Sequence, residues 1–219
     1  VRLQTYLANE VNDVETLDLL TTSFPDNCDC LIIASPTKDF GDIETDQIIN
    51  YINNGGKILW INDNSSTYPN TQKILDLYGA KLTSGTVRET DDSKMILYSN
   101  SYIVPNISYH KITSQLATSG SLAFVDSCRI DVADDDILSS LGVSATPFIK
   151  SSSTSYFRTD YTNTSSDKAD SEESGPFNLG VEFTKLINNK ESKLILYSNA
   201  KFATDSINVS NGTQTQSIV

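Results

Sequence analysis

Basic runs, long apolar runs and paired catalytic side chains are all missing from this chain. Sixteen Lys and Arg face 28 Asp and Glu, a net charge of -12 with pI near 4.4. That balance repels a polyphosphate backbone and argues against nucleic acid as a partner. No apolar run approaches the roughly 20 residues that cross a bilayer. Beginning on Val1 without a signal-like segment, the chain reads as the soluble portion of something longer.

Nucleophiles and metal ligands are equally sparse. Of three cysteines, Cys28 and Cys30 are too close for an ordinary bridge, and with the distant Cys128 they lack the paired spacing of a zinc site. Buried or idle thiols are the reading, with a bridge from Cys128 to one of the pair left open. The only histidine, His110, lies in SYHKIT in the middle of the chain rather than after a core strand, a poor place for a general base. Ser35 follows CLIIA, but nothing in the sequence supplies it with a base. No G-x-[SC]-x-G elbow follows KILWIN, where Asp63, Asn64, Ser65 and Ser66 stand instead. Gly55-Gly56-Lys57 comes after a helical pattern and before a strand, the reverse of a phosphate-binding loop. The acids Asp134-Asp135-Asp136 and Glu172-Glu173 are contiguous, without calcium-loop spacing, and read as a solvated edge. The expectation is no catalytic residue, no metal and no cofactor.

What is present is an ordinary globular composition, 38% hydrophobic and 20% charged, enough to bury one large core. VRLQTYLA reads as a helix tail and VETLDLL (14–20) alternates like a strand before a Pro25-Asp26 turn. CLIIASP and KILWIND are short apolar runs typical of strands buried on both faces. Between them, GDIETDQIINYINNGG is an amphipathic helix with Ile48, Ile49 and Ile52 on one face and Gly41 or Asp42 as N-cap. NTQKILDLYGA is a second helix, with Asn70 as N-cap and Gly79 at its C-terminal end. This alternation predicts an α/β fold, a parallel sheet covered by helices. Beyond Ala80 the expected strands are KMILYSN, SLAFVDS, DDILSSLGVSAT and TSYFRTDY, then GPFNLGVEFTKL and KLILYSNAKFATDS.

The organisation expected is a single domain over 1–219. It has an α/β core at 1–80, a β-rich extension at 81–174, strands returning to the core at 176–206 and a flexible tail at 207–219. The polar, acidic segment 163–175 is expected to be a mobile loop. SKMILYSN (93–100) recurs as SKLILYSN (192–199), but the flanks do not match, so two strands converging on similar chemistry are expected rather than a duplication. Asn-x-Ser/Thr acceptors at Asn64, Asn106, Asn163, Asn208 and Asn211 matter only in a glycosylating host. In open parallel sheets ligands sit at the carboxyl ends of the strands. That rule makes Ser35, Pro36, Asp63, Asn64, Ser198 and Asn199 the candidate groove, with turn residues as the competing reading.

The string CDCLIIASPTKDFGDIETDQIINYINNGGKILWIND resembles the GldG-like auxiliary components of ABC transport systems. Pro36, Asp39, Glu44, Tyr51, Gly55, Gly56 and Asp63 occupy that family's motif positions, with Ile52 where Leu is usual. LDLYGAKL, YHKIT with His110, ATPFIKSSSTSYF with Pro147, and GPFNLGVEF with Gly175 and Pro176 follow in order. Lys111 departs from the family's proline after the histidine, and Gly41 from its Ser/Thr cap. The resemblance implies a flavodoxin-like, class I glutamine amidotransferase-like core with helices on both faces, lacking the catalytic Cys-His pair. It also implies an extracytoplasmic domain of a bacterial membrane protein, anchored by flanking transmembrane helices. The implied partners are an ABC permease and ATPase, and gliding motility is the associated process in some bacteria. The function expected is therefore non-catalytic binding and scaffolding. A carbohydrate- or peptide-binding module with a cell-envelope ligand is the alternative, and a hydrolase on the same fold the third reading.

Overall fold

The computed structural model describes residues 7–9, 13–62, 68–114, 122–160, 162–163 and 165–201. β1 (Leu31–Ala34) and β2 (Lys57–Ile61) pair in parallel, with α1 (Asp42–Asn53) between them. Gly41 is the N-cap of α1: Glu44 Oε2 accepts its N–H at 2.7 Å, and its carbonyl accepts the N–H and hydroxyl of Thr45. Ile48 and Ile52 turn inward, and the helix stops where Gly55 takes φ 89, a left-handed conformation that side chains resist. The second helix, α2 (Pro69–Asp76), starts one residue before the expected cap. Tyr68 is the N-cap and Pro69 enters the first turn, while Asn70 donates instead to Phe40 O at 2.7 Å.

The chain continues through β3 (Ala80–Thr83), β4 (Thr86–Arg88), β5 (Met95–Ile96), β6 (Ser99–Ile103), β7 (Asn106–Ile107), β8 (Phe124–Val125) and β9 (Arg129–Val132). After α3 (Asp135–Leu141) come β10 (Val143–Lys150), β11 (Tyr156–Arg158), β12 (Glu173–Ser174), β13 (Asn178–Ile187) and β14 (Lys190–Tyr197). An eight-stranded sheet has the order β1-β2-β14-β13-β10-β7, with β9 joined to β13 and β3 to β9. Two three-stranded sheets, β12-β11-β4 and β5-β6-β8, complete the fold.

This overturns the expected flavodoxin-like, amidotransferase-like parallel sheet with helices on both faces. Among the described residues only β1, β2 and β14 run parallel; every other pairing they make in the large sheet is antiparallel. Ile58, Trp60, Leu194 and Leu196 pack in one core with α1, α2 and α3. Leu59, Ile61, Ile195 and Tyr197 belong to a second core with Val87, Ile103, Phe124 and Phe157, drawn from the small sheets. Strands buried on both faces read alike whether helices or other strands cover them, so the apolar runs could not reveal the second cover.

Two local expectations also change. VETLDLL is not a strand: residues 14–18 have no regular structure and the chain then turns, with Asp18 Oδ1 accepting the Leu20 N–H and Asp18 O that of Thr22. DDILSSLGVSAT is not one strand but α3 followed by β10. Asp134 is the N-cap, Asp135 and Asp136 fill the first turn, and Gly142 (φ 65) ends the helix.

The near-identical octapeptides fold differently. SKLILYSN runs into and past the end of central strand β14, with Leu196 and Tyr197 0 and 1% exposed. In SKMILYSN the corresponding Leu97 and Tyr98 form the two-residue turn between β5 and β6, both at φ 55, and are 75 and 91% exposed. Left-handed backbone costs a residue with a Cβ about 1–2 kcal/mol.

Candidate functional site

The carboxyl ends of parallel strands β1, β2 and β14 lie side by side. Ser35 follows β1 at φ 49 and donates its N–H to Ile61 O at 2.8 Å; Asn62, after β2, donates to Tyr197 O at 3.0 Å. Ser35 and Pro36 are half-buried, whereas Ser198 and Asn199 are fully buried. Ser198 Oγ lies 3.2 Å from Ser127 Oγ, and Ser198 O accepts from Cys128 Sγ at 3.4 Å. The Asn199 amide donates to Val125 O and its Oδ1 accepts the Lys201 N–H at 3.0 Å. These two side chains thus clasp the β8–β9 connection beneath the strand ends. Asp63 and Asn64 lie outside the described residues. Asn62, Ser127 and Cys128 complete the cluster; Ser127 and Cys128, in the β8–β9 connection, carried no sequence signal because that connection is distant in the chain.

Beside it, Asp39 holds the start of α2. Its carboxylate accepts the N–H groups of Asn70 and Thr71 at 3.0 and 2.9 Å, and that of Phe40 at 3.0 Å. Burial pushes its pKa up, but these donors and the Thr71 hydroxyl outweigh it and hold the carboxyl below its usual range. The Pro36-x-x-Asp39 motif is therefore a helix cap supplied from a neighbouring loop, where Tyr68 has no side-chain acceptor of its own.

Tyr51 explains the Gly-Gly motif. Its ring stacks on Phe24 at 4.4 Å, and its hydroxyl accepts the Lys57 N–H at 3.1 Å and lies 3.3 Å from Cys28 O. A Cβ on Gly56 would stand 2.3 Å from that ring. Gly56 is thus dictated by close approach, and only Gly55 by backbone conformation. Cys28 Sγ is 3.9 Å from the Tyr51 hydroxyl, Cys30 lies at the surface, and no disulfide joins Cys28, Cys30 or Cys128.

His110 is built into the far side of the sheet. It stacks on Phe148 at 4.8 Å, its Nε2 is 2.6 Å from Glu182 Oε2, and its Nδ1 accepts the Ile112 N–H at 3.3 Å. This bonding assigns the imidazole proton to Nε2. Glu182 also receives Lys193 at 3.3 Å.

The remaining motif residues close a polar core. Glu89, fully buried, accepts the hydroxyls of Ser152 and Thr154 and the N–H groups of Thr90 and Asp91. Gly175 packs so closely that a Cβ would meet Ser155 Oγ at 2.2 Å, and the Gly175-Pro176 bond is cis. Pro147 sits in β10, opposite Val181 of β13. Arg158, 1% exposed, pairs with Glu172 and donates to the carbonyls of Ser165 and Asp167, so the acidic segment is tied to a buried guanidinium. That guanidinium holds the Glu172 carboxyl below its usual range. Among the described residues, no cluster of three or more His, Cys, Asp or Glu is placed to hold a metal ion, and no helix is long and apolar enough to cross a membrane.

Comparison with solved structures finds the same fold in one titled "mmIFT52 N-terminal domain". The TM-score is 0.55 at 14% identity, covering 81% of this chain and 68% of that one. No curated protein matched the sequence. Residues 3–73, about a third of the chain, match the family described as an ABC-type uncharacterized transport system, and this stretch holds β1, α1, β2 and the Asp39 cap.

Proposed function

We propose that this domain is the extracytoplasmic, non-catalytic binding and scaffolding part of a GldG-like auxiliary subunit. In this reading it is anchored by flanking membrane helices and works with an ABC permease and ATPase, in a gliding-motility system or a related one. The observation that carries the reading is the family match across the Asp39 and Tyr51 motifs. The roles of the motif residues support it: Asp39 caps a helix, Tyr51 and Gly56 lock a corner, and both nitrogens of His110 are engaged by Glu182 and Ile112. Co-purification of the full-length protein with the permease and ATPase of its transport system tests the proposal. It is sunk by failure to form that complex, or by ester, amide or glycoside turnover that disappears in Ser35→Ala or His110→Ala.

A second reading, binding of a cell-envelope glycan or peptide at the strand ends, rests on Ser35. Ser35 is held left-handed at the carboxyl end of a parallel strand, where ligands of open α/β sheets bind and where strained backbone is over-represented. Thermal-shift titration with cell-wall fragments separates the two, because a ligand at about 100 times its Kd raises stability by about 2.7 kcal/mol.

A further inference from the structure

The β5–β6 hairpin carries the wrong residues for its turn. Two-residue hairpins with both central residues left-handed favour Asn and Gly. The molecule follows that rule in its other such hairpin, where Asn188 and Asn189 (φ 49 and 63) join β13 to β14. At the same place in the β5–β6 hairpin stand Leu97 and Tyr98, both left-handed and both largely exposed. Nothing in the local sequence demands this turn, since the matching Leu196-Tyr197 pair is extended and buried.

The surroundings hold the tip in place. Ile103 and Phe124 bury the β6–β8 pairing in the second core, the Glu89 N–H donates to Asn100 O at 2.8 Å, and Asn100 Nδ2 donates to the Tyr156 hydroxyl at 3.2 Å. Strained backbone persists where the neighbouring structure over-determines it, and it concentrates at binding sites. Large apolar and aromatic side chains presented to water by a rigid support have the character of interface anchors.

We propose that Leu97 and Tyr98 form a docking tooth that seats in an apolar socket, rimmed by basic groups, on a protein partner. Charge selects this occupant. The chain carries -12 overall, and at the foot of the hairpin Asp91 and Asp92 outnumber Lys94, so an anionic membrane surface is repelled while a basic rim is complemented. A second copy of this acidic chain is disfavoured for the same reason. The inference rests on the transport reading above, in which the partner is the permease–ATPase pair.

The test exchanges the tooth for the turn's preferred residues, Leu97→Asn/Tyr98→Gly, in the full-length protein. A purely structural pair predicts loss of stability. The docking tooth predicts the reverse, a Tm raised by about 2–4 °C, together with binding to the purified permease–ATPase pair weakened at least about tenfold. A lowered Tm, or wild-type binding that the variant retains, overturns the docking tooth alone. Failure of the wild type to bind the pair overturns the transport reading with it. Binding of the wild type but not the variant to protein-free phosphatidylcholine vesicles would assign the tip to lipid, and wild-type dimerisation lost in the variant would assign it to self-association; either result overturns the protein socket.

Discussion

At the residue scale, two adjacent glycines serve different physics. Gly55 is required by its backbone at φ 89, and Gly56 by the Tyr51 ring. Gly56→Ala should destabilise the domain by about 1–3 kcal/mol, the cost of overpacking, and urea denaturation should show Tyr51→Leu relieving part of it. If the two substitutions are additive, the ring is not what Gly56 accommodates. Arg158 is the most consequential single charge. Its removal leaves the Ser165 and Asp167 carbonyls without this donor and Glu172 with only the Ala169 N–H, so Arg158→Met should cost about 3–5 kcal/mol, read as a shift in urea midpoint. A change below about 1 kcal/mol would mean the pair behaves as a surface ion pair.

The element scale shows how one octapeptide yields both a strand and a hairpin. In β14 the chain has β2 on one side and β13 on the other, and both faces are buried, so SKLILYSN stays extended. In β5 and β6 the partners are each other and the short β8, and the chain reverses at Leu97-Tyr98. Placing that pair in the other hairpin is a direct measure of turn strain: Asn188→Leu/Asn189→Tyr should lower Tm by several degrees, about 2–4 °C per kcal/mol. An unchanged Tm would show that Leu-Tyr suits this turn and would remove the strain argument. Elements whose signals are local were legible: β1, α1, β2 and the body of α2 fall where apolar periodicity and Gly punctuation put them. The aspartate run and Gly142 that bracket α3 are an N-cap and C-cap pair, a signal present in the sequence but read there as a solvated edge and a strand. The second core was not legible, because it joins segments from β4 to β14.

At the scale of the whole molecule, acid sensitivity follows from two carboxylates. Asp39 and Glu172 both have pKa values below the ordinary range, Asp39 through helix-end N–H donors that outweigh its burial and Glu172 through Arg158. A depressed carboxylate stabilises the fold fully above its unfolded pKa of about 4, and that contribution drains away as pH falls through the lower folded value. Urea stability measured from pH 7 to 3 should therefore fall below about pH 4. Asp39→Asn should be less stable at pH 7 and should flatten this decline; an unaltered slope would show that the cap is not titrating. Lys185 links the helices to the sheet, donating to Leu77 O and Leu141 O at the ends of α2 and α3, 2.9 Å each, where a cation meets the negative ends of two helix dipoles.

Of the candidate groove named from the rule for parallel sheets, Ser35 and Ser198 follow β1 and β14 at the same end of the sheet, Ser198 and Asn199 are buried, and Asp63 and Asn64 lie outside the described residues. Alternation, caps and glycines act within a few residues, which is why the N-terminal β-α-β unit could be read from the chain alone. Long-range pairing settled the rest. It decided that β14 enters the middle of the sheet from a hairpin, that strands rather than helices cover the second face, and that Ser198 and Asn199 lie beneath the surface. It also decided that the same Leu-Tyr pair is core in one place and exposed tip in the other, because burial depends on which neighbours arrive and no local pattern encodes that.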